Sequence, residues 1–233
     1  MKTPGTSCLI AVVGGSGAGK TWLADQLQTC IGKEASRLSL DDFYLDRSSL
    51  TPIRREKINF DHPRAIDWPC VERVLCDCKA GRPTSLPRYD FSRHTRSPRR
   101  NPWRARPLII MDGLWLLHRP AVRCLFDFRI FIDCSVRLRL RRRLERDVAE
   151  RGRTRESVRH QFATTVAPMH ERYVEPQVRW ADIVVTSPVG RIGIYQIAEQ
   201  ITKTLMQGWH YRTWMRQRFE TEVQRLERNG SYL

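Results

Sequence analysis

Five short apolar runs punctuate the chain, at residues 8–13, 37–40, 108–111, 128–132 and 183–186. The first, third, fourth and fifth are continuous rather than alternating, the pattern of strands covered on both faces. Between them the apolar spacing changes to three and four. Leu23, Leu27, Cys30 and Ile31 follow Lys20 at helical spacing and stop at Gly32, which reads as a helix C-terminus. Val136, Leu140, Leu144 and Val148 form a second stripe, expected to pack inward, and Ile194, Ile197, Ile201 and Leu205 a third. Strands alternating with helices predict βα units, hence an α/β fold with a parallel sheet flanked by helices.

Two regions break this rhythm. Residues 46–106 are rich in Pro and Arg and carry one helical pattern near 68–79. The stretch is too long for a plain connection and reads as a substrate-facing insertion. Residues 207–233 form a basic tail in which Met215, Phe219, Val223 and Leu226 share one helical face. Glu220, Glu222 and Glu227 oppose binding to an anionic membrane, so this amphipathic helix is expected to pack on the body or on a second subunit. The main domain is therefore expected to span 1–206, and a homo-oligomer is expected.

Composition changes the picture only in part. The chain has 233 residues and a formal net charge of +16, carried by 41 Lys+Arg against 25 Asp+Glu. That excess implies an anionic partner without naming one. At 41% hydrophobic and 28% charged, the chain is of ordinary globular composition rather than disordered. There is no apolar run of about 18 residues to suggest a transmembrane helix, and residues 8–13 are too short for the core of a signal peptide. The seven Cys are scattered without a C-x-x-C pair, the usage expected of reduced thiols serving mostly as core filler in the cytoplasm.

The chemistry starts at Gly14, Gly15, Ser16, Gly17, Ala18, Gly19, Lys20 and Thr21, which fit G-x-x-x-x-G-K-[ST] between a predicted strand and a predicted helix. Glycines let the backbone wrap a phosphate, and the helix N-terminus adds positive potential. Lys20 is expected on the β- and γ-phosphates and Thr21 on Mg2+. The loop implies a nucleoside triphosphate, ATP or GTP, but does not separate a kinase from a GTPase or a motor. Asp41 and Asp42 follow the second predicted strand and Asp112 the third. Ligands of open α/β sheets bind beyond the strands' carboxyl ends, so these acids share the side of the phosphate loop. A phosphotransferase needs such carboxylates for the acceptor proton and for the metal; a strand-end Asp can equally cap a turn.

Several further segments occur in order: Asp41-Asp42-Phe43-Tyr44; Asn59-Phe60-Asp61-His62-Pro63; Pro87-Arg88-Tyr89-Asp90-Phe91 with His94; Asp112-Gly113; Arg143 through Asp147 with Arg151-Gly152-Arg153; and Pro168-Met169-His170. With the phosphate loop they resemble the uridine kinase (uridine–cytidine kinase) family of P-loop nucleoside kinases, over about residues 8–190. The resemblance implies a P-loop NTPase-type sheet with an Arg-rich lid at about 137–165, and ATP-dependent phosphorylation of the 5′-hydroxyl of uridine or cytidine. It implies Asp41 as base and metal-associated carboxylate, with Asp112 and Thr21 at the metal. It implies Asp61 on the ribose hydroxyls, Tyr89 and His94 on the base with Phe60 as a wall, Arg143 and Gln161 on the acceptor, and Arg146, Arg151 and Arg153 around the phosphates. His62 is expected to orient the Asp61 loop, whereas His118, His160, His170 and His210 receive no role.

Two departures stand out. Asp112 is a methylene shorter than the family's usual Glu, which asks for an intervening water or a shifted ion, and Asp42 places a second carboxylate beside the first, where like charge can raise a pKa. Spacing alone puts Arg139, Arg143 and Arg146 on one helical face, beside the apolar stripe. Gly152 permits a turn after it. Such a face is often only solvated, and Arg137, Arg141 and Arg142 are expected to be solvated or paired with acids. Two alternatives remain: another small-molecule kinase, such as a nicotinamide riboside kinase or a phosphoribulokinase-like enzyme, and, less favoured, a nucleic-acid binder. The latter would use Arg93, Arg96, Arg99, Arg100, Arg104 and Arg106 with interleaved aromatics and the tail's Arg212, Arg216 and Arg218, but no RNA-binding motif accompanies them.

Overall fold

The computed structural model describes residues 7–205 except 57, 92, 99 and 100; the amphipathic tail lies outside the described residues. Five parallel strands build the central sheet in the order β2-β7-β1-β8-β9: β1 (Cys8–Gly14), β2 (Ala35–Ser39), β7 (Leu108–Gly113), β8 (Phe128–Asp133) and β9 (Ile183–Thr186). Two small antiparallel pairs lie in the insertion, β3 (Thr84–Leu86) with β6 (Asn101–Trp103) and β4 (Tyr89–Asp90) with β5 (Thr95–Arg96). The helices are α1 (Lys20–Ile31), α2 (Pro52–Glu56), α3 (Trp68–Lys79), α4 (Pro120–Arg123), α5 (Val136–Arg151), α6 (Arg155–Gln161), α7 (Ala167–Met169) and α8 (Arg191–Leu205).

The continuous apolar runs have the expected cause. Leu9, Ala11 and Val13 of β1 face one buried cluster, with Val71, Val74, Leu75 and Cys78 of α3. Ile10 and Val12 face the other, with Leu23, Leu27 and Ile31 of α1 and Ile194, Ile197 and Ile201 of α8. A strand covered on both faces cannot alternate. α1 ends where Gly32, at φ 81°, donates its N–H to the carbonyl of Gln28.

Three expectations need correction. β9 alternates between half-buried and exposed positions, and Val184 is 53% exposed, because only one of its faces is covered, the one from which Ile183 and Val185 pack on the core. The stripe on α5 is not its buried face: Val136 and Val148 are exposed and only Leu144 of the four is buried. Arg139, Arg143 and Asp147 go inward with it, because this helix packs over the phosphate-loop backbone at Gly15 and Gly17 rather than over apolar core. The cysteines are less uniformly core filler than expected, with Cys8, Cys78 and Cys134 buried and Cys76 and Cys124 exposed.

The sheet order reverses at β1. The chain passes from β1 to β2 and β7 on one side and then to β8 and β9 on the other, and such sheets bind ligands beyond the strands' carboxyl ends at that switch point. The phosphate loop leaves β1 at that crevice.

Candidate active site

The loop is shaped by close approach. Gly17 and Gly19 hold φ of 80° and 97°, values that a side chain disfavours. A Cβ on Gly17 would lie 2.5 Å from the carbonyl oxygen of Arg139, and one on Gly15 would lie 2.7 Å from Arg139 Nη1 and 2.8 Å from His170 Nδ1. α5 is thus seated on the loop backbone. Gly17→Ala is expected to destabilise the fold by about 2–4 kcal/mol, combining left-handed strain with a backbone clash, and to weaken ATP binding. Urea melts and nucleotide titration check it.

Arginines of α5 fix the contact. Arg142 Nη1 donates to the carbonyls of Gly17 at 3.3 Å and Ala18 at 3.2 Å, and to Ser187 Oγ at 2.9 Å. It is a loop clamp, not the solvated charge its sequence context suggests. Arg141 conforms to expectation, exposed and 3.9 Å from Glu145. Arg143 is buried and spans the site. Its Nη1 donates to Ser16 Oγ at 2.9 Å and lies 4.0 Å from Asp61 Oδ1, while its Nη2 donates to Gln161 Oε1 at 2.9 Å. Arg153 also donates to Gln161 Oε1.

Lys20 Nζ donates to Gly15 O at 3.0 Å. Burial lowers its pKa, against the raising fields of Asp41 and Asp112. Asp41 opens to the cleft, yet the surrounding protein excludes enough water to raise its pKa; Lys20 opposes the rise, and Asp112 and Asp42 add to it. Desolvation, rather than the neighbouring Asp42, is the main cause. Thr21 Oγ1 donates to Asp112 Oδ2 at 2.8 Å, and Arg37 Nη1 donates to Asp112 Oδ1 at 3.1 Å while its Nε lies 2.8 Å from Asp25. Both Asp112 oxygens are therefore engaged. Among the described residues no group of three or more His, Cys, Asp or Glu could hold a metal. The Thr21 hydroxyl with nearby carboxylates fits Mg2+ of the kind that shares few protein oxygens with substrate phosphates.

On the Asp61 side of Arg143 lies an aromatic cluster. The β4–β5 hairpin carries Tyr89 and, at its turn, His94 with φ 52°. His94 stacks on Phe60 with centroids 4.5 Å apart and planes at 16°. Asp61 follows Phe60, and desolvation raises its pKa against the field of Arg143. His62 holds this loop, accepting at Nδ1 from the Arg64 N–H while Nε2 meets the Tyr173 hydroxyl at 3.0 Å. Tyr44 and Phe91 complete the cluster, at 5.2 and 5.1 Å from the Tyr89 ring. Sequence reasoning gave Tyr44 no role and Phe91 only a place among the aromatics interleaved with the insertion arginines, although both lie in segments that carry the resemblance. Burial pushes Tyr89 up to about 12, so its phenol stays a donor.

The profile of the phosphoribulokinase/uridine kinase family matches residues 9–191. The chain belongs to that family. A uridine kinase of Staphylococcus epidermidis is 38% identical over 200 residues, 85% of this chain and 95% of that protein. One of Halobacterium salinarum is 34% identical over 195 residues, 84% of this chain and 87% of that protein. Among solved structures, phosphoribulokinase from Rhodobacter spheroides superposes with a TM-score of 0.60 at 19% identity, covering 78% of this chain and 70% of that one. D-glycerate 3-kinase from Cryptococcus neoformans gives 0.59 at 19% identity over 78% and 86%. These two likenesses concern the fold. As a family member the chain is a P-loop kinase of a nucleoside or other small molecule, an ATP-binding phosphotransferase. No helix among the described residues is long and apolar enough to cross a membrane.

His170, given no role from sequence, lies against the loop with Nδ1 buried and without a hydrogen-bond partner among the described residues. Burial, then Arg139 and Lys20, push it down to about 4. The unfolded chain therefore binds the proton first, near pH 6.5, and stability is expected to fall as pH drops from about 7 toward 4. His170→Gln should flatten that decline; chemical denaturation across this range measures it.

Proposed function

We propose that this kinase transfers the γ-phosphoryl group of ATP to the 5′-hydroxyl of uridine or cytidine. The observation that carries the reading is the span of Arg143, which links Ser16 of the phosphate loop to Asp61, beside the Phe60–His94 stack. A carboxylate accepts from two vicinal hydroxyls at once, which suits ribose, and a flat stacked pair suits a base. The Tyr89 hydroxyl, buried without a partner among the described residues, offers a donor to a base edge. Relatives called uridine kinase over most of the chain support the same acceptor.

In this reading Asp41 accepts the 5′-hydroxyl proton as that oxygen attacks in line. Lys20, Arg146, Arg151 and Arg153 offset charge on the phosphoryl oxygens, and Thr21, Asp41 and Asp112 would hold the metal. Bound Mg2+ would supply charge neutralisation between the phosphates. Residues 46–106 form the acceptor side and 137–165 the lid, whose closure excludes water from the wasteful hydrolysis of ATP. A cytoplasmic homo-oligomer in pyrimidine salvage completes the proposal.

The test is ATP turnover with uridine, cytidine, 2′-deoxyuridine, nicotinamide riboside and ribulose 5-phosphate as acceptors. Stimulation by the two pyrimidine ribonucleosides is expected. Stimulation by neither, with turnover of another acceptor, defeats this reading in favour of a different small-molecule kinase.

A further inference from the structure

Asp147 is placed on α5 four residues after Arg143 and four before Arg151, so the three share a face. Its side chain is fully buried, a state that carboxylates rarely reach without partners. Four guanidiniums surround it. Arg146 Nε donates to Oδ1 at 2.9 Å and Arg151 Nη1 lies 3.6 Å from that oxygen, while Arg143 Nε and Arg153 Nη1 lie 3.4 and 3.8 Å from Oδ2. Its main-chain carbonyl accepts the N–H groups of Gly152 and Arg153, which holds the turn that ends the helix.

These are the four arginines placed around phosphate and acceptor, and among the described residues, apart from Asp61 beside Arg143, Asp147 is the acid that gathers them. Like charges drawn this close repel, and the repulsion is strongest where water is scarce. We propose that Asp147 is a positioning residue for phosphoryl transfer: an internal anion, itself out of reach of substrate, that holds Arg146, Arg151 and Arg153 convergent on the transferring phosphoryl group and Arg143 on the acceptor beside it. The proposal rests on the kinase reading but not on the identity of the acceptor.

The sign of its effect separates it from a merely structural ion pair. Neutralising Asp147 raises the positive potential where the triphosphate binds, yet lets the arginines splay. Ground-state affinity then holds or improves while the transition state loses its convergent donors. The test is Asp147→Asn, which keeps the volume, measured in two ways: calorimetric Kd for the non-hydrolysable analogue AMP-PNP with Mg2+, and kcat with whichever acceptor the wild-type protein turns over fastest. The expected result is a fall in kcat of about 10²-fold, as for misplaced positioning groups, with a Kd unchanged or up to about fivefold tighter. Affinity and kcat falling in step, or kcat within about twofold of wild type, overturns the proposal.

Asp147→Glu keeps the charge and shifts it by a methylene. Here kcat should exceed that of the Asn variant, with Kd as in wild type. Should the Asn protein fail to fold, the Glu variant decides: lowered kcat at unchanged Kd supports the proposal, and wild-type kcat or proportionate loss of affinity overturns it. A wild-type protein that ignores pyrimidine nucleosides but phosphorylates another acceptor defeats the nucleoside reading and leaves both measurements intact.

Discussion

Asp41→Asn is expected to lower kcat by about 10³-fold or more, the upper part of the range for a lost general base, while ATP still binds. Asp41 follows β2 and faces the crevice beside Lys20, and the amide keeps its size and its backbone contact, the N–H donated to Ser39 Oγ at 3.3 Å. The variant therefore removes proton acceptance and one negative charge without reshaping the loop. Losing that charge also strengthens the local positive field, since Asp41 is the leading anion acting on Lys20. ATP affinity should consequently hold. The raised pKa of Asp41 carries a further consequence. The base works deprotonated, so in wild type kcat/KM should fall as pH drops through a value above the usual aspartate range, and this acid limb should vanish in the residual activity of the variant. Rapid-quench turnover with a parallel nucleotide titration measures both; retained phosphoryl transfer would remove Asp41 from its role.

Asp61→Ala should raise the acceptor KM by about 10–100-fold, the range for losing charge-assisted hydrogen bonds, with a smaller effect on ATP. It should also erase the preference for uridine over 2′-deoxyuridine, because a site built for a hydroxyl penalises the analogue that lacks it. Two costs combine. The vicinal hydroxyls lose their acceptor, and buried Arg143 keeps Asp147 but loses a second counter-charge at 4.0 Å. Asp61→Asn separates them, since it retains one acceptor oxygen and removes only charge. An unchanged KM in both variants would take Asp61 out of the acceptor site.

Much of this was legible one residue at a time. The phosphate loop has a fixed spacing and a fixed context, so its position at the end of β1 followed directly. The buried strands announced themselves because a strand with two covered faces cannot alternate, and β1 divides its side chains between two cores. The α5 stripe misled because its apolar residues were weighed without their destination. What lies under that helix is the loop of residues 15–18 and a charge network, so Arg139, Arg143 and Asp147 are buried while Val136 is left outside. Arg142 shows the same lesson, since no local pattern marks a guanidinium that will bond the carbonyls of Gly17 and Ala18.

Sequence by itself determined the five strands of the main sheet and their alternation with helices, the phosphate loop and the set of chemically capable residues, because these depend on local periodicity and short spacings. Only the tertiary structure decided which charges meet. Arg143 joins Ser16 to Asp61 across 127 and 82 positions of chain, and Arg37 reaches Asp112 across 75. The physical reason is that an ion pair is set by distance in space and by the water excluded around it, and neither is written in the separation along the chain.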